Sequence, residues 1–292
     1  MLKSIKRKVL FTHSMFKLED QAANILTYFL GAVLAFGALP PLSPAFLLGL
    51  FAVSCSLLGI NLLNQITDIE IDRINKPHRP LPSGKVSRNT AIAITVVLYS
   101  AAAAAASAVS VQLFLLTLAY LFLGAGYSMR PLRFKDKFLI SNISIAIWYN
   151  FLNFLMGWVV FRPFGVAPFP LLALLFLYDV IAINSKDYAD VEGDRKHNAK
   201  TLVVLLGHGE ALNADGAGHF GVQSVFLVLG LLGVLPFYML VLSALALAGT
   251  AVIFRDVHKN ADYWRFYHLS FAMHAVLRVA ILVMFFAGLI SA

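Results

Sequence analysis

Long apolar stretches recur along the whole of this 292-residue chain, and each is long enough to cross a lipid bilayer. Hydrophobic residues make up 60% of the chain and charged residues only 13%, well below the share of about 25% that is typical of soluble domains. The sequence therefore predicts an all-α integral membrane protein. We expect nine transmembrane helices, at residues 21–38, 44–66, 90–108, 111–128, 139–160, 168–186, 219–234, 236–254 and 267–290.

The basic residues mark one side of the predicted membrane protein. All but two of the 23 Lys and Arg residues, Arg162 and Arg278, fall in the N-terminal segment, in every second loop or at its margin. The positive-inside rule makes this side cytoplasmic, and the N-terminus with it. The basic segment 1–20 is expected to be a retained interfacial helix. The net charge of +8 then reflects topology and attraction to anionic headgroups or substrates, with nucleic acid excluded as a partner.

A polar motif follows the second predicted span. Asn64, Asp68 and Asp72 stand four residues apart, which places their oxygen atoms along one face of a helix. Two unpaired carboxylates at about 6 Å repel by roughly 3 kcal/mol at an effective dielectric near 20, so a cation is expected on this ridge. A proline-rich loop comes next, and this region carries the bases Arg73, Lys76, Arg79, Lys85 and Arg88.

A second acidic motif follows the sixth predicted span and repeats the first. The pattern Asp-x-Glu-x-Asp-Arg at 68–73 recurs at 190–195, an offset of 122 residues. The chain therefore looks like two related four-helix repeats plus one extra helix, forming a single domain over 1–292 that encloses a central cavity. Such a pair of repeats would bring the two acidic ridges face to face.

Carboxylate and amide oxygens in this arrangement favour Mg²⁺, which proteins usually hold with one or two carboxylates, substrate phosphates and water. Two Mg²⁺ ions would balance four carboxylates, so a diphosphate bound between the ridges would need further positive charge. The residues alone thus indicate a metal-bridged diphosphate site at the mouth of an apolar cavity. Bases expected at the same face are Arg73, Arg130, Arg133, Lys135 and Lys186.

The stretches NQITDIEIDRINKPHRPLPSG and KDYADVEGDRKHNAKTL resemble the motifs of the UbiA superfamily of intramembrane prenyltransferases, over residues 61–202 in motifs and over the whole chain in topology. The resemblance implies that two Mg²⁺ ions and the diphosphate are bound by the catalytic residues Asn64, Asp68, Asp72, Asp190 and Asp194. It implies substrate binding by Lys186, by Asp187 as an additional acid, and by Tyr127 with Arg130, Arg133 or Lys135. Pro131 occupies the fifth position of the family's Tyr-x-x-x-Lys pattern, which leaves the choice among those three bases open.

The function that the resemblance implies is transfer of a polyprenyl group from an allylic prenyl diphosphate, such as geranylgeranyl diphosphate, to a lipidic or aromatic acceptor. Metal and bases would stabilise the leaving diphosphate, apolar and aromatic walls would exclude water from the carbocation, and the prenyl tail would reach membrane lipid. Gln65 stands where many members have a second Asp, and later segments resemble archaeal ether-lipid and chlorophyll-type members, so the acceptor stays open.

Two other functions are compatible with the sequence. A terpene cyclase on the same scaffold would quench the cation within its own chain. A divalent-cation transporter would line its ion path with the acidic ridges, although the acids cluster on one side of the membrane, which counts against transport.

Polar residues elsewhere in the spans have more than one interpretation. The fifth span carries Trp148, Tyr149 and Asn150, which indicate either interhelical hydrogen bonding or a cavity wall. His268 and His274 are expected to form hydrogen bonds within the bundle, and Arg278 to reach the interface or to face a polar cavity. The Gly- and His-rich stretch 206–221 is expected to be a loop.

Overall fold

The computed structural model of the protein describes residues 18–196 and 199–290. These residues fold into helices joined by turns, with no strand among them, so the prediction of an all-α protein is confirmed. Most of the interfacial helix predicted at 1–20 lies outside the described residues. The helices are α1 (Leu18–Phe36), α2 (Pro44–Thr67), α3 (Ile69–Asn75), α4 (Arg88–Ser107), α5 (Val111–Ser128), α6 (Ile140–Ala146), α7 (Asn153–Trp158), α8 (Phe169–Ala182), α9 (Val191–Lys196), α10 (Leu202–Leu206), α11 (His208–Leu231), α12 (Phe237–Asn260) and α13 (Tyr263–Phe286).

Local sequence signals set where several long helices begin. The Ser43 hydroxyl accepts a hydrogen bond from the backbone N–H of Phe46 at 3.3 Å, and Pro44 occupies the first helical position of α2. The first turns of α4, α5 and α13 are capped in the same way by Ser87, Ser110 and Asp262. Each cap satisfies a backbone N–H that lacks an intrahelical partner.

Six helical segments of the described chain are long and apolar enough to cross a membrane. They are α2, α4, α5, α12, α13 and Phe169–Lys186, in which a 3₁₀ turn continues α8. Each coincides with a predicted span, so the chain is an integral membrane protein with several spans. The other three predicted spans coincide with α1, α11 and the pair α6 and α7, which carry more polar residues, and the count of nine stays a prediction.

The prediction of a loop at 206–221 is wrong, because α11 begins at His208. Two of its glycines serve helix packing: a Cβ added at Gly216 would lie 3.3 Å from the Phe254 ring, and one at Gly218 would lie 3.2 Å from Ile181. Its polar Asp215 is buried and accepts hydrogen bonds from Asn184 and Tyr188 at 2.6 and 2.7 Å. The glycines and the polar residue of this stretch therefore mark a tight contact between helices in the interior.

Glycine also allows α1 and α7 to touch backbone to backbone. A Cβ added at Gly157 would lie 2.0 Å from the carbonyl oxygen of Tyr28, and one at Gly31 would lie 2.1 Å from that of Phe154. Asn153 reinforces the crossing by donating to the Asn24 carbonyl and side-chain oxygens at 2.9 and 2.7 Å. Small residues at a crossing permit this approach where lipid offers no hydrophobic drive to association.

We expect Gly157→Ala to destabilise the protein by about 1–3 kcal/mol, because the added methyl group would displace the backbone of α1. Thermal melting of the detergent-purified protein measures the loss. Gly221→Ala is the matched control, since a Cβ there meets nothing within 4 Å. Equal melting temperatures for the two variants would contradict this account of the crossing.

Candidate active site

The first acidic motif lies where α2 passes into α3. Asp68 leaves helical geometry, with φ −109° and ψ 13°, and so ends α2. The Asp68 N–H nevertheless donates to the Asn64 carbonyl at 3.1 Å, and the Asp72 N–H donates to the Asp68 carbonyl at 2.7 Å. The three residues therefore keep four-residue helical spacing across the break.

Two bases from the turn after α5 neutralise Asp68. Lys135 Nζ forms an ion pair with Asp68 Oδ1, and Arg133 Nη2 lies 3.7 Å from the same oxygen. Burial lowers the pKa of Lys135, and the Asp68 carboxylate opposes that shift. Arg130 is exposed. Of the three alternatives that the sequence left open, the fold brings Arg133 and Lys135 to the acidic motif.

The proline-rich loop folds back over both acidic motifs. Arg79 Nη1 donates to Asp72 Oδ2 at 2.7 Å, with the Asp72 side chain 7% exposed. Lys76 Nζ donates to Asp190 Oδ2 at 3.3 Å and so links the first motif to the second. Sequence analysis assigned no site role to Lys76 or Arg79, because an irregular loop has no periodicity from which to predict where its side chains point.

Arg73, on α3 before this loop, has a different partner. Its Nη1 binds Glu70 at 2.8 Å, and both side chains are more than half exposed. The fold therefore places the repeated Glu-x-x-Arg pair on the outer face of α3. Substrate binding by Arg73 stays a prediction.

The second motif lies against the first, with α9 in contact with α3. The Asp190 N–H donates to the Asp187 carbonyl at 3.2 Å, and the Asp194 N–H donates to the Asp190 carbonyl at 3.0 Å. Lys186 Nζ binds Asp187 Oδ1 at 2.6 Å. Burial raises the pKa of Asp187, and burial together with the charge of Asp187 raises that of Asp194 to about 6. The second motif is thus a region of concentrated negative charge.

The chemistry of these side chains fits Mg²⁺. Among the described residues, no three His, Cys, Asp or Glu side chains converge as a ready metal cluster. The carboxylates Asp68, Asp72, Asp187 and Asp190 instead pair with bases on flexible stems. Hard oxygen donors favour a divalent cation, provided that those bases move to other anionic oxygens.

A pocket of about 180 Å³ opens beside the acidic motifs and extends among the helices. Asn64, Tyr127 and Lys186 line it near the motifs. A π-helical turn, Ile147–Leu152, separates α6 from α7 and adds Trp148, Tyr149 and Asn150 to the wall. Such widened turns often occur at functional sites. The remaining wall residues include Ile60, Asp179, Tyr267, Phe271 and His274.

The chain is similar in sequence to proteins of known family. The UbiA prenyltransferase family model matches residues 24–289. The digeranylgeranylglyceryl phosphate synthase of Thermococcus gammatolerans is 35% identical over 199 residues, which cover 67% of this chain and 68% of that protein. The bacteriochlorophyll synthase 34 kDa chain of Chloroflexus aurantiacus is 31% identical over 164 residues, 55% of this chain and 52% of that one.

The fold is shared with solved structures. A UbiA homologue from Archaeoglobus fulgidus bound to GPP and Mg²⁺ superposes with a TM-score of 0.72 at 20% identity, over 93% of this chain and 99% of that chain. A digeranylgeranylglyceryl phosphate synthase structure gives 0.68 at 21% identity, over 97% and 99%. The protein is thus a membrane-embedded prenyltransferase. The chain belongs to the UbiA prenyltransferase family.

We expect Arg79→Gln to lower the melting temperature of the metal-free protein, measured in detergent with EDTA. The change leaves the largely buried Asp72 carboxylate without its cation, at a cost of about 1–3 kcal/mol. Arg73→Gln is the control, because an exposed pair contributes at most about 1 kcal/mol. A larger loss from Arg73→Gln than from Arg79→Gln would contradict the assigned pairing.

Proposed function

We propose that this protein transfers a polyprenyl group from an allylic prenyl diphosphate to a hydrophobic acceptor, releasing diphosphate in a Mg²⁺-dependent reaction. One observation carries the proposal: two acidic motifs from different halves of the chain, joined through Lys76 and Asp190, lie beside an apolar and aromatic pocket. An anionic headgroup would bind at the motifs, and its apolar tail would enter the pocket.

Asn64, Asp68, Asp72, Asp190 and Asp194 would hold two Mg²⁺ ions. When bound, such ions neutralise charge on the leaving diphosphate. The relatives' structures, which carry GPP or DMAPP with Mg²⁺, and in another case Cd²⁺, support use of a divalent ion. This chain contributes oxygen donors on and just before two short helices, α3 and α9, that touch each other, so both sides of a diphosphate can be reached.

The bases now paired with carboxylates would supply the remaining positive charge. Lys135, Arg133 and Lys186 have long flexible stems, and Lys186 also lines the pocket. With the carboxylates compensated by divalent ions, these side chains can donate charge-assisted hydrogen bonds to the diphosphate oxygens. Their positive charge stabilises the negative charge that develops as the allylic C–O bond breaks. Tyr127, on the same stretch of wall, would contact the diphosphate, and Asp187 would orient Lys186.

The pocket wall would protect the allylic cation. Trp148 and Tyr149 pack edge to face with ring centroids 5.8 Å apart, and Tyr120 packs on Trp148 in the same way at 5.5 Å. Their faces attract positive charge, and their bulk excludes water. The cation would then be captured by the acceptor instead of by water.

The proposal includes the membrane topology. Within residues 18–196 and 199–290, α1, α11 and the pair α6 and α7 would add three spans to the six apolar ones. The pocket would be the central cavity, with the N-terminus and the active site on the cytoplasmic side. The concentration of Lys and Arg at the acidic motifs supports that orientation.

A lipidic acceptor is the first one to test. The relatives named for digeranylgeranylglyceryl phosphate imply an acceptor that already carries one geranylgeranyl group on glyceryl phosphate. Because another relative is named for bacteriochlorophyll, acceptors of a second class must also be tested.

We expect Asp68→Asn and Asp190→Asn each to lower Mg²⁺-dependent diphosphate release from geranylgeranyl diphosphate by at least about 100-fold, because each removes charge at the diphosphate site. The matched controls Glu70→Gln and Glu192→Gln remove exposed acids from the same two repeats and should keep wild-type rates. Full Mg²⁺-dependent turnover in both Asp variants would overturn the site assignment.

An acceptor panel tests the reaction class. We expect release of diphosphate by the wild-type protein to produce a prenylated product with one of geranylgeranylglyceryl phosphate, hydroxybenzoate or homogentisate. Release with a cyclised hydrocarbon and no acceptor product would favour the terpene cyclase. No release with any donor, combined with Mg²⁺ flux into proteoliposomes, would favour the transporter.

A further inference from the structure

Three ionisable side chains meet in the helical interior, apart from the acidic motifs. Asp179 of α8 is 2% exposed, and His274 and Arg278 of α13 are 6% and 0% exposed. Arg278 Nη2 donates to Asp179 Oδ2 at 2.9 Å, and His274 Nδ1 lies 2.7 Å from Asp179 Oδ1. Ionisable residues inside a membrane bundle are costly and are usually retained for function.

All three guanidinium nitrogens of Arg278 donate hydrogen bonds. Its Nε donates to Thr27 Oγ1 at 3.0 Å, its Nη1 donates to the His274 carbonyl at 2.9 Å, and its Nη2 also binds Asn150 Oδ1. The guanidinium therefore has partners from three helical segments in addition to Asp179. Its positive charge compensates the Asp179 carboxylate, so a neutral His274 leaves the cluster without net charge.

The hydrogen bond to Asp179 decides the tautomer of His274. A carboxylate only accepts, so His274 Nδ1 must carry the hydrogen, and in the neutral ring Nε2 keeps its lone pair. Nε2 has no hydrogen-bond partner among the described residues, although it is buried. The ring lines the pocket and packs between Tyr149 and Phe271, with centroids at 5.7 and 6.2 Å.

A purely structural role for His274 does not explain why its Nε2 is buried without a hydrogen-bond partner. Asp179 and Arg278 would compensate each other without a histidine, and an apolar residue could fill the space beside Phe271. A histidine held by a carboxylate at one nitrogen, whose other nitrogen is buried without a partner and whose ring lines the pocket, has the arrangement of a general base.

We propose that His274 Nε2 is the general base that takes the proton from an acceptor hydroxyl group, with Asp179 and Arg278 as positioning residues. The inference rests on the proposed function and names its acceptor class, an alcohol that is alkylated on oxygen. The same pocket wall includes Lys186 and Asn64, so donor and acceptor ends share one cavity.

The allylic C–O bond breaks and its electron pair leaves with diphosphate. A lone pair on the acceptor oxygen forms the new C–O ether bond, the O–H bond breaks, and its proton moves to Nε2. Asp179 stabilises the imidazolium, which returns the proton to water when the product leaves.

The test separates donor binding from acceptor capture. His274→Asn keeps an N–H for Asp179 but removes Nε2, and His274→Gln keeps side-chain length without a basic nitrogen. His268→Asn and His268→Gln are matched controls, since His268 is exposed on the same helix. The probes are geranylgeranyl thiolodiphosphate for donor affinity, and geranylgeranyl diphosphate with geranylgeranylglyceryl phosphate for ether formation.

We expect both His274 variants to bind the thiolodiphosphate within about twofold of wild type and to have an unchanged acceptor KM. Their kcat for ether formation should fall by about 100-fold or more, the scale of general base catalysis. The His268 variants should match wild type.

Two results would overturn the role of His274. One is ether formation within threefold of wild type in both variants; the other is a loss of donor affinity or melting temperature that parallels the loss of kcat, which would make the residue structural. Failure of the proposed function looks different, because the wild-type protein would then bind no donor in the presence of Mg²⁺, or would consume it without prenylating any acceptor.

Discussion

The structure depends on pairing the charges that it places in a region of low dielectric. Unpaired carboxylates at the end of α2 or inside the bundle would be destabilising, and within residues 18–196 and 199–290 the buried acids Asp72, Asp179 and Asp215 are each met by a base or a hydrogen-bond donor. Asp72 meets Arg79 and Asp179 meets Arg278, at 2.7 and 2.9 Å. These pairs fix where the proline-rich loop lies and how α8 packs on α13. The positions of both polar centres follow from charge compensation.

The two centres differ in what their cations can do. At the acidic motifs the bases have flexible stems and partial exposure, so they can exchange a carboxylate for a phosphate oxygen. In the interior, Arg278 has partners on several helices and no exposure, so it is a fixed charge. The proposed reaction needs both properties: adaptable positive charge where diphosphate would depart, and rigid positioning where the acceptor would react.

Much of the fold could be predicted from hydropathy, because a bilayer imposes length and apolarity on each span. Six predicted spans coincide with apolar helices, and the four-residue spacing of Asn64 and Asp68 persists across the break in α2. The expectation of a loop at 206–221 is wrong because glycine content does not distinguish a turn from a close helix crossing. The Gly216 contact with Phe254 depends on a partner helix that is distant in sequence.

The sequence by itself determined the membrane class, the family resemblance and the two acidic motifs, since these depend on local composition and spacing. Only the tertiary structure decided which bases meet which acids: Lys135 approaches Asp68, whereas Arg73 turns outward to Glu70. It also decided that Asp179, 95 residues before His274, holds that ring at the pocket wall. Side-chain pairing across helices is set by packing and crossing geometry, and a single chain's spacing carries no record of either.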